Sequence, residues 1–298
     1  MKIKLVLRPG EFTSFTSYYL ESFWREYFDI EYYDSGRYYD PANTVFVIWW
    51  SNADSAWPQQ MREQGYCVVV DNLWEKARGR TDYYWLENPL WFWYNESLWW
   101  SALGLDQYQP NQHLEYTAFM PIRRVDSIRD KIVEQLGDLK QTMLWSYRNQ
   151  LLPNDTQEQR YVNLDWYNST YSSMVVESRQ EGSIVITEKT FKPIAFYHPF
   201  QIVAMPGILA ELRAQGFETY SNLFDESYDA VEDFGSRLAI IINNLKEITL
   251  QDYDSLTKEK IQHNHNRFFN SNLVKERIVT EIINPLIEHV QTSTQRNS

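Results

Sequence analysis

At 298 residues, 43% hydrophobic and 16% aromatic, the chain carries enough apolar material for buried cores, which excludes disorder as its main state and predicts two domains. Its 28 basic and 40 acidic residues give a net charge of −12, which argues against an extended phosphate-binding surface while allowing a local basic pocket. The lone Cys67 cannot form an internal disulfide and fits a reducing, cytoplasmic setting, and no run of 18 apolar residues is present to span a membrane.

Residues 3–7 (Ile-Lys-Leu-Val-Leu) predict a first strand; the stretch is too short, and too soon followed by Arg8-Pro9-Gly10, for a secretory signal. Phe15, Tyr19, Phe23 and Tyr27 recur every fourth residue and predict one face of a helix. Strands follow at 30–33, 45–50 and 67–70, with Asp54 as the cap of a helix running to about Gln64 and Gly65 as its stop. Between residues 83 and 100 stand Trp85, Trp91, Trp93, Trp99 and Trp100; core or interdomain packing is the plainer reading and sugar stacking the other. The polar stretch 107–113 puts a domain boundary near 105–135, giving domains 1–120 and 121–298.

The second half repeats the pattern: strands at 142–145, 173–177, 183–186 and 200–204, and helices at 188–197, 206–215, 234–245 and from about 255 to 290, with a frayed tail at 292–298. Short β-branched runs alternating with amphipathic segments are the mark of parallel sheets covered by helices, so the fold class is α/β.

Chemistry concentrates in Ile184-Val-Ile-Thr-Glu-Lys-Thr-Phe-Lys-Pro193, at an expected strand-to-helix junction. Thr187 would cap the helix, whose free N–H groups favour a phosphate; Glu188 and Lys192 share a face, while Lys189 points about 100° from Glu188. Glu188 would then meet ribose hydroxyls, and Lys189 or Lys192 phosphate. On the residues alone, a solvated helix start with a Glu–Lys pair is the simpler reading of the same segment. Pro193 lies deep enough to kink that helix or to delay its start.

The longer run from Ser183 to Val203 resembles the donor-site segment of glycosyltransferases of the two-Rossmann (GT-B) type, closest to the fucosyltransferase-like group and to glycosyltransferase-like proteins common in phages. The likeness continues through Pro206-Gly207, Gly216-Phe217-Glu218-Thr219, Asp225-Glu226-Ser227-Tyr228-Asp229 and His263-Asn264, covering about residues 142–270. It implies two Rossmann-like domains facing across a cleft, with a nucleotide diphosphate sugar as donor substrate, Glu188 on its ribose and Lys189 near its diphosphate. Ser146-Tyr147-Arg148 corresponds to the group's Tyr-Arg pair, with Arg148 on phosphate; the acidic residue that follows in the group is absent, and Asn149-Gln150-Leu151 stands instead.

Glu177, ending a strand, is a candidate to face the same cleft as Glu188, or else a cap or surface acid. Arg123-Arg124 would add phosphate contacts, a solvated basic pair being the simpler reading. His263 and His265 diverge by about 200° on a helix, so no zinc site is expected. Asp225, Glu226 and Asp229 read as an ordering loop rather than a Mg²⁺ site, and no metal or separate cofactor is expected. The base that takes the acceptor proton is expected in the N-terminal domain, from Glu11, Asp54 or Asp71. The resemblance implies a glycan or a hydroxymethylated base in DNA as acceptor, making DNA modification one outcome, in the host cytoplasm if phage-encoded. The alternative is a noncatalytic carbohydrate- or nucleotide-binding module of the same fold. No Gly-x-Gly-x-x-Gly, Walker sequence or nucleophile elbow is present.

Overall fold

The computed structural model describes residues 2–9, 21–49, 54–72, 84–87, 90–154, 162–180, 182 and 184–296. The chain divides into two compact units, Met1–Trp99 with Ser271–Ser298, and Trp100–Asn270. The division therefore precedes the boundary expected at 120/121, and residues 271–298 join the first unit.

The first unit is built on β1 (Ile3–Leu7), β2 (Phe28–Tyr32), β3 (Thr44–Trp49), β4 (Cys67–Asn72) and β5 (Tyr84–Glu87). All pair in parallel in the order β2-β1-β3-β4-β5, with Leu5 opposite both Ile30 and Val45. Parallel strands are covered on both faces, which is why residues 45–48 are a continuous apolar run with no exposure. The expected helix across 15–27 is seen as α1 (Glu21–Tyr27); its earlier part lies outside the described residues.

α2 (Ala56–Glu63) has Ser55, not Asp54, at its N-cap position, without a side-chain cap hydrogen bond, and stops where Gly65 takes φ +87°. Its Met61 closes a core of Val6, Phe46, Ile48, Val68 and Val70. The aromatic stretch becomes α3 (Trp91–Ala102), in which Trp91, Phe92, Trp93, Tyr94 and Trp100 are all buried, as the packing reading requires.

The second unit carries β6 (Tyr116–Pro121), β7 (Met143–Ser146), β8 (Thr170–Val176) and β9 (Phe200–Val203), all parallel in the order β7-β6-β8-β9. The strand order reverses between β6 and β8, the position at which open α/β sheets hold ligands beyond their carboxyl ends. Helices α4 (Ser127–Gln135), α5 (Leu164–Asn168), α6 (Glu188–Ala195), α7 (Ile208–Ala214), α8 (Phe234–Glu247) and α9 (Ser255–Phe268) complete it. The strand expected at 183–186 does not form: β8 pairs with β6 and β9, and residues 184–187 belong to no ladder. α7 starts from Gly207, at φ +83°, rather than Pro206.

The chain then returns to the first unit as α10 (Ser271–Ile278) and, past a π-helical turn at Val279–Ile283, α11 (Asn284–Arg296). α11 continues helical through most of the tail expected to fray. Among the described residues, no helix is long and apolar enough to cross a membrane.

Candidate functional site

β8 is buried at every residue and ends at Val176; Glu177 follows it, and from there the chain loops into α6. Glu177 has no exposure. Its Oε1 accepts from Thr187 N at 2.9 Å and Thr190 Oγ1 at 2.7 Å, and its Oε2 from Thr187 Oγ1 at 2.7 Å and Ser178 N at 3.2 Å. The carboxylate is enclosed by four chain donors and does not line the cavity; of the two readings given for Glu177, its bonds match the cap rather than a place in the cleft beside Glu188. It ties the amino end of α6 to the end of β8.

Thr187 is the N-cap of α6, its Oγ1 accepting from Lys189 N at 3.3 Å, and it too is wholly buried. The helix does not start late. Pro193 removes one donor, which would otherwise bond the carbonyl of Lys189, and α6 ends two residues later at Ala195. Glu188, Lys189, Lys192 and Pro193 of the segment line a cavity, although Glu188 is itself only 2% exposed. Lys189 Nζ lies 3.1 Å from Thr187 Oγ1, 3.2 Å from Ser178 Oγ and 3.3 Å from Glu188 Oε1.

The cavity has a volume of about 310 Å³, at the lower end of ligand-pocket sizes. Phe119 and Pro121 of β6, residues 173–176 of β8, and Trp166 and Tyr167 of α5 line it, together with Pro193 of α6. It thus sits at the reversal between β6 and β8. Arg123, Arg124, Arg129, Lys189 and Lys192 contribute five cationic side chains against one acid, Glu188. Arg124 and Arg129 pair with Asp126 beside the lining, and Lys189 pairs with Glu188, so the basic side chains stand out locally in a chain of net charge −12 but are partly neutralised.

Arg129 carries no local mark in the sequence that sets it apart as a lining residue. It is 5% exposed, donates to the Glu177 carbonyl at 3.0 Å and pairs with the Asp126 carboxylate. Burial alone would raise the Asp126 carboxyl, but the Arg129 backbone N–H and guanidinium, with Arg124, outweigh it and hold the group low. The available signal was Asp126-x-x-Arg129 at a helix start, which by itself reads as a solvated i,i+3 pair. Arg123 and Arg124, for which solvation was the simpler reading, are exposed yet border the cavity.

Arg148 stands elsewhere. It is absent from the cavity lining, and its guanidinium is engaged by Asp130 of α4 at 2.7 and 2.9 Å. Of the expected bases, Glu11 lies outside the described residues; Asp71 lies in β4, opposite Trp49; and Asp54 is exposed in the turn before α2.

The acidic loop is internally used. Asp225 accepts from Ser227 N, Glu226 from Thr219 Oγ1 and Tyr220 N, and Asp229 from Leu209 N and Ala210 N at the start of α7. His263 meets the Gly216 carbonyl at 2.9 Å and His265 that of Ala195 at 2.7 Å. Among the described residues, no group of three or more His, Cys, Asp or Glu is placed to hold a metal ion.

Behind β8, His198 is buried between Ser173 Oγ, 2.7 Å from Nδ1, and the Thr170 carbonyl, 2.6 Å from Nε2. A carbonyl only accepts, so Nε2 carries the hydrogen and Nδ1 accepts from Ser173. Burial pushes the imidazole pKa down to about 4.

Compared with solved structures, the chain superposes on an α1,3-fucosyltransferase with a TM-score of 0.50 at 10% identity, covering 92% of each chain. The fold is of the GT-B type. An α1,3-fucosyltransferase with GDP-fucose gives 0.47 at 12% identity over 90% of each chain. The DNA-modifying enzyme β-glucosyltransferase gives 0.45 at 10%, over 99% of this chain and 100% of that one. No protein-family model and no curated protein matches the sequence. Two all-parallel units, each with a strand-order reversal, are what this chain shares with the GT-B fold.

Proposed function

We propose that the protein transfers a sugar from a nucleotide diphosphate sugar to an acceptor hydroxyl, and that the cavity of the second unit is the donor site. One observation carries the reading: five cationic side chains converge, with Glu188, on the carboxyl edge of the sheet where its strand order reverses. A GT-B fold supports the same assignment.

In the proposed reaction the acceptor oxygen bonds to the anomeric carbon as the bond from that carbon to the diphosphate breaks. The departing diphosphate keeps the electron pair, and fixed cations at Lys189 and Lys192 stabilise it more as that charge grows. Glu188 binds a ribose hydroxyl. The acceptor proton goes to a carboxylate, with Glu11, Asp54 and Asp71 as candidates. The acceptor is a glycan or a hydroxymethylated DNA base.

Titration calorimetry with UDP, GDP and their sugars tests the donor site. Binding to at least one of them, weakened about tenfold by Lys189→Ala or Glu188→Ala, is expected. No binding to any would sink the proposal. Mass spectrometry of the bound donor separates an enzyme, which releases free nucleotide, from a binding module, which does not. A gel shift with duplex DNA across salt concentrations decides the acceptor: no binding even at low salt removes DNA.

A further inference from the structure

Two of the oxygens that hold the Lys189 ammonium, Thr187 Oγ1 and Ser178 Oγ, belong to residues that Glu177 itself fixes. Thr187 Oγ1 gives its hydrogen to Glu177 Oε2, which turns its lone pairs towards Lys189. Ser178 is held through its backbone N–H on the same Oε2, and Thr187 N is held on Oε1. Glu177 is therefore the common anchor of a two-branched relay ending on a cation at the cavity, although it lines no part of that cavity. Its backbone carbonyl receives Arg129, a second cation of the lining.

We infer that Glu177 is a positioning residue, which fixes where the Lys189 ammonium sits without touching ligand. The inference rests on the donor-site reading only for its consequence on binding; the relay stands on geometry. A glutamine in its place keeps the shape but replaces one acceptor oxygen with a donor. With the amide nitrogen at the Oε2 position, Thr187 Oγ1 and Ser178 N lose their acceptor, and at the Oε1 position Thr187 N loses its own, so in either orientation Thr187 loses a partner, and the ammonium its fixed place.

Two measurements decide it. Trace acetylation with acetic anhydride, read by peptide mass spectrometry relative to the other lysines, reports how Lys189 is held whether or not any nucleotide binds. Glu177→Gln is expected to raise Lys189 labelling severalfold, and Glu177→Asp to return it partway; unchanged labelling in the folded Gln variant overturns the inference. Calorimetry with inorganic pyrophosphate then tests coupling. Glu177→Gln is expected to weaken binding about tenfold in the otherwise unaltered chain and less than about twofold in a Lys189→Ala background. Equal losses in both backgrounds would mean that Glu177 acts on the fold at large, and would also overturn it. If the Gln variant does not fold, Thr187→Val, which cuts one branch, takes its place in both measurements with the same expectations. Failure of pyrophosphate to bind the unaltered chain counts against the donor site, while labelling still decides the role of Glu177.

Discussion

Arg148 Nη2 lies 2.7 and 2.9 Å from the two oxygens of Asp130, and the arginine that makes this pair sits in a tight turn at φ +53°. Both side chains are about half exposed, and Tyr147 Oη shares the same carboxylate at 2.6 Å. Hydrogen bonds from Tyr147 and Arg148 hold the Asp130 carboxyl below its ordinary value.

An exposed pair of this kind contributes little, so Arg148→Ala is expected to change stability by less than about 1 kcal/mol. Arg148→Gly removes the side-chain penalty at positive φ and is expected to be no worse than Ala. Neither should alter nucleotide affinity more than about twofold, against the tenfold of Lys189→Ala. Denaturant midpoints and calorimetry on the three variants check this; a tenfold loss with Arg148→Ala would return that residue to the phosphate.

Arg129→Met is expected to cost about 2 kcal/mol, because it leaves the Glu177 carbonyl and the partly buried Asp126 carboxylate without their guanidinium. Urea unfolding measures it directly. A near-neutral result would mean that water replaces the guanidinium at both acceptors.

His198 gives stability a pH dependence. Its folded pKa, about 4, lies below the ordinary 6.5, so the unfolded chain binds the proton that the folded chain refuses. Stability from this group is complete above about pH 6.5 and is lost as pH falls towards 4, in total on the order of 3 kcal/mol. Burial lowers His265 as well, which acts in the same direction. Urea midpoints between pH 7.5 and 4.5 should fall with acid, and His198→Gln should flatten the fall; an unchanged slope in that variant would exclude His198 as its source.

Asp229 bonds two backbone N–H groups at the start of α7, at 2.9 and 3.0 Å, so Asp229→Ala is expected to cost about 1–2 kcal/mol. If the loop serves as a cap rather than a cation site, neither Mg²⁺ nor EDTA should move the melting temperature. Thermal scans with and without each reagent test this; a Mg²⁺-dependent rise that disappears in Asp229→Ala would show a bound cation instead.

Strands β1, β3 and β4 were legible because each is a short apolar run that parallel pairing buries on both faces. β6 escaped notice. Its six residues end in proline and follow a polar stretch, and only pairing with β7 and β8, far along the chain, makes it a strand. The helix start at Thr187–Lys192 was readable from its capping residue, and Glu188, Lys189 and Lys192 do border a cavity. The buried role of Glu177 was not readable, because it depends on donors ten and thirteen residues away that no local pattern announces. Arg129 was hidden for the same reason, its carbonyl partner lying 48 residues downstream.

Because Ser271–Ser298 pack with Met1–Trp99, the second unit is topologically an insertion within the first. Tyr94 Oη donates to Glu281 at 2.5 Å, Arg277 lies over the Trp93 ring at 5.2 Å, and Tyr84 stacks on His289 at 3.9 Å. During synthesis, every residue of the inserted unit leaves the ribosome before the first unit receives its last helices. The inserted unit is thus free to fold cotranslationally, while Trp93 and Tyr94 of α3 gain Arg277 and Glu281 only after the segment from Ser271 has emerged.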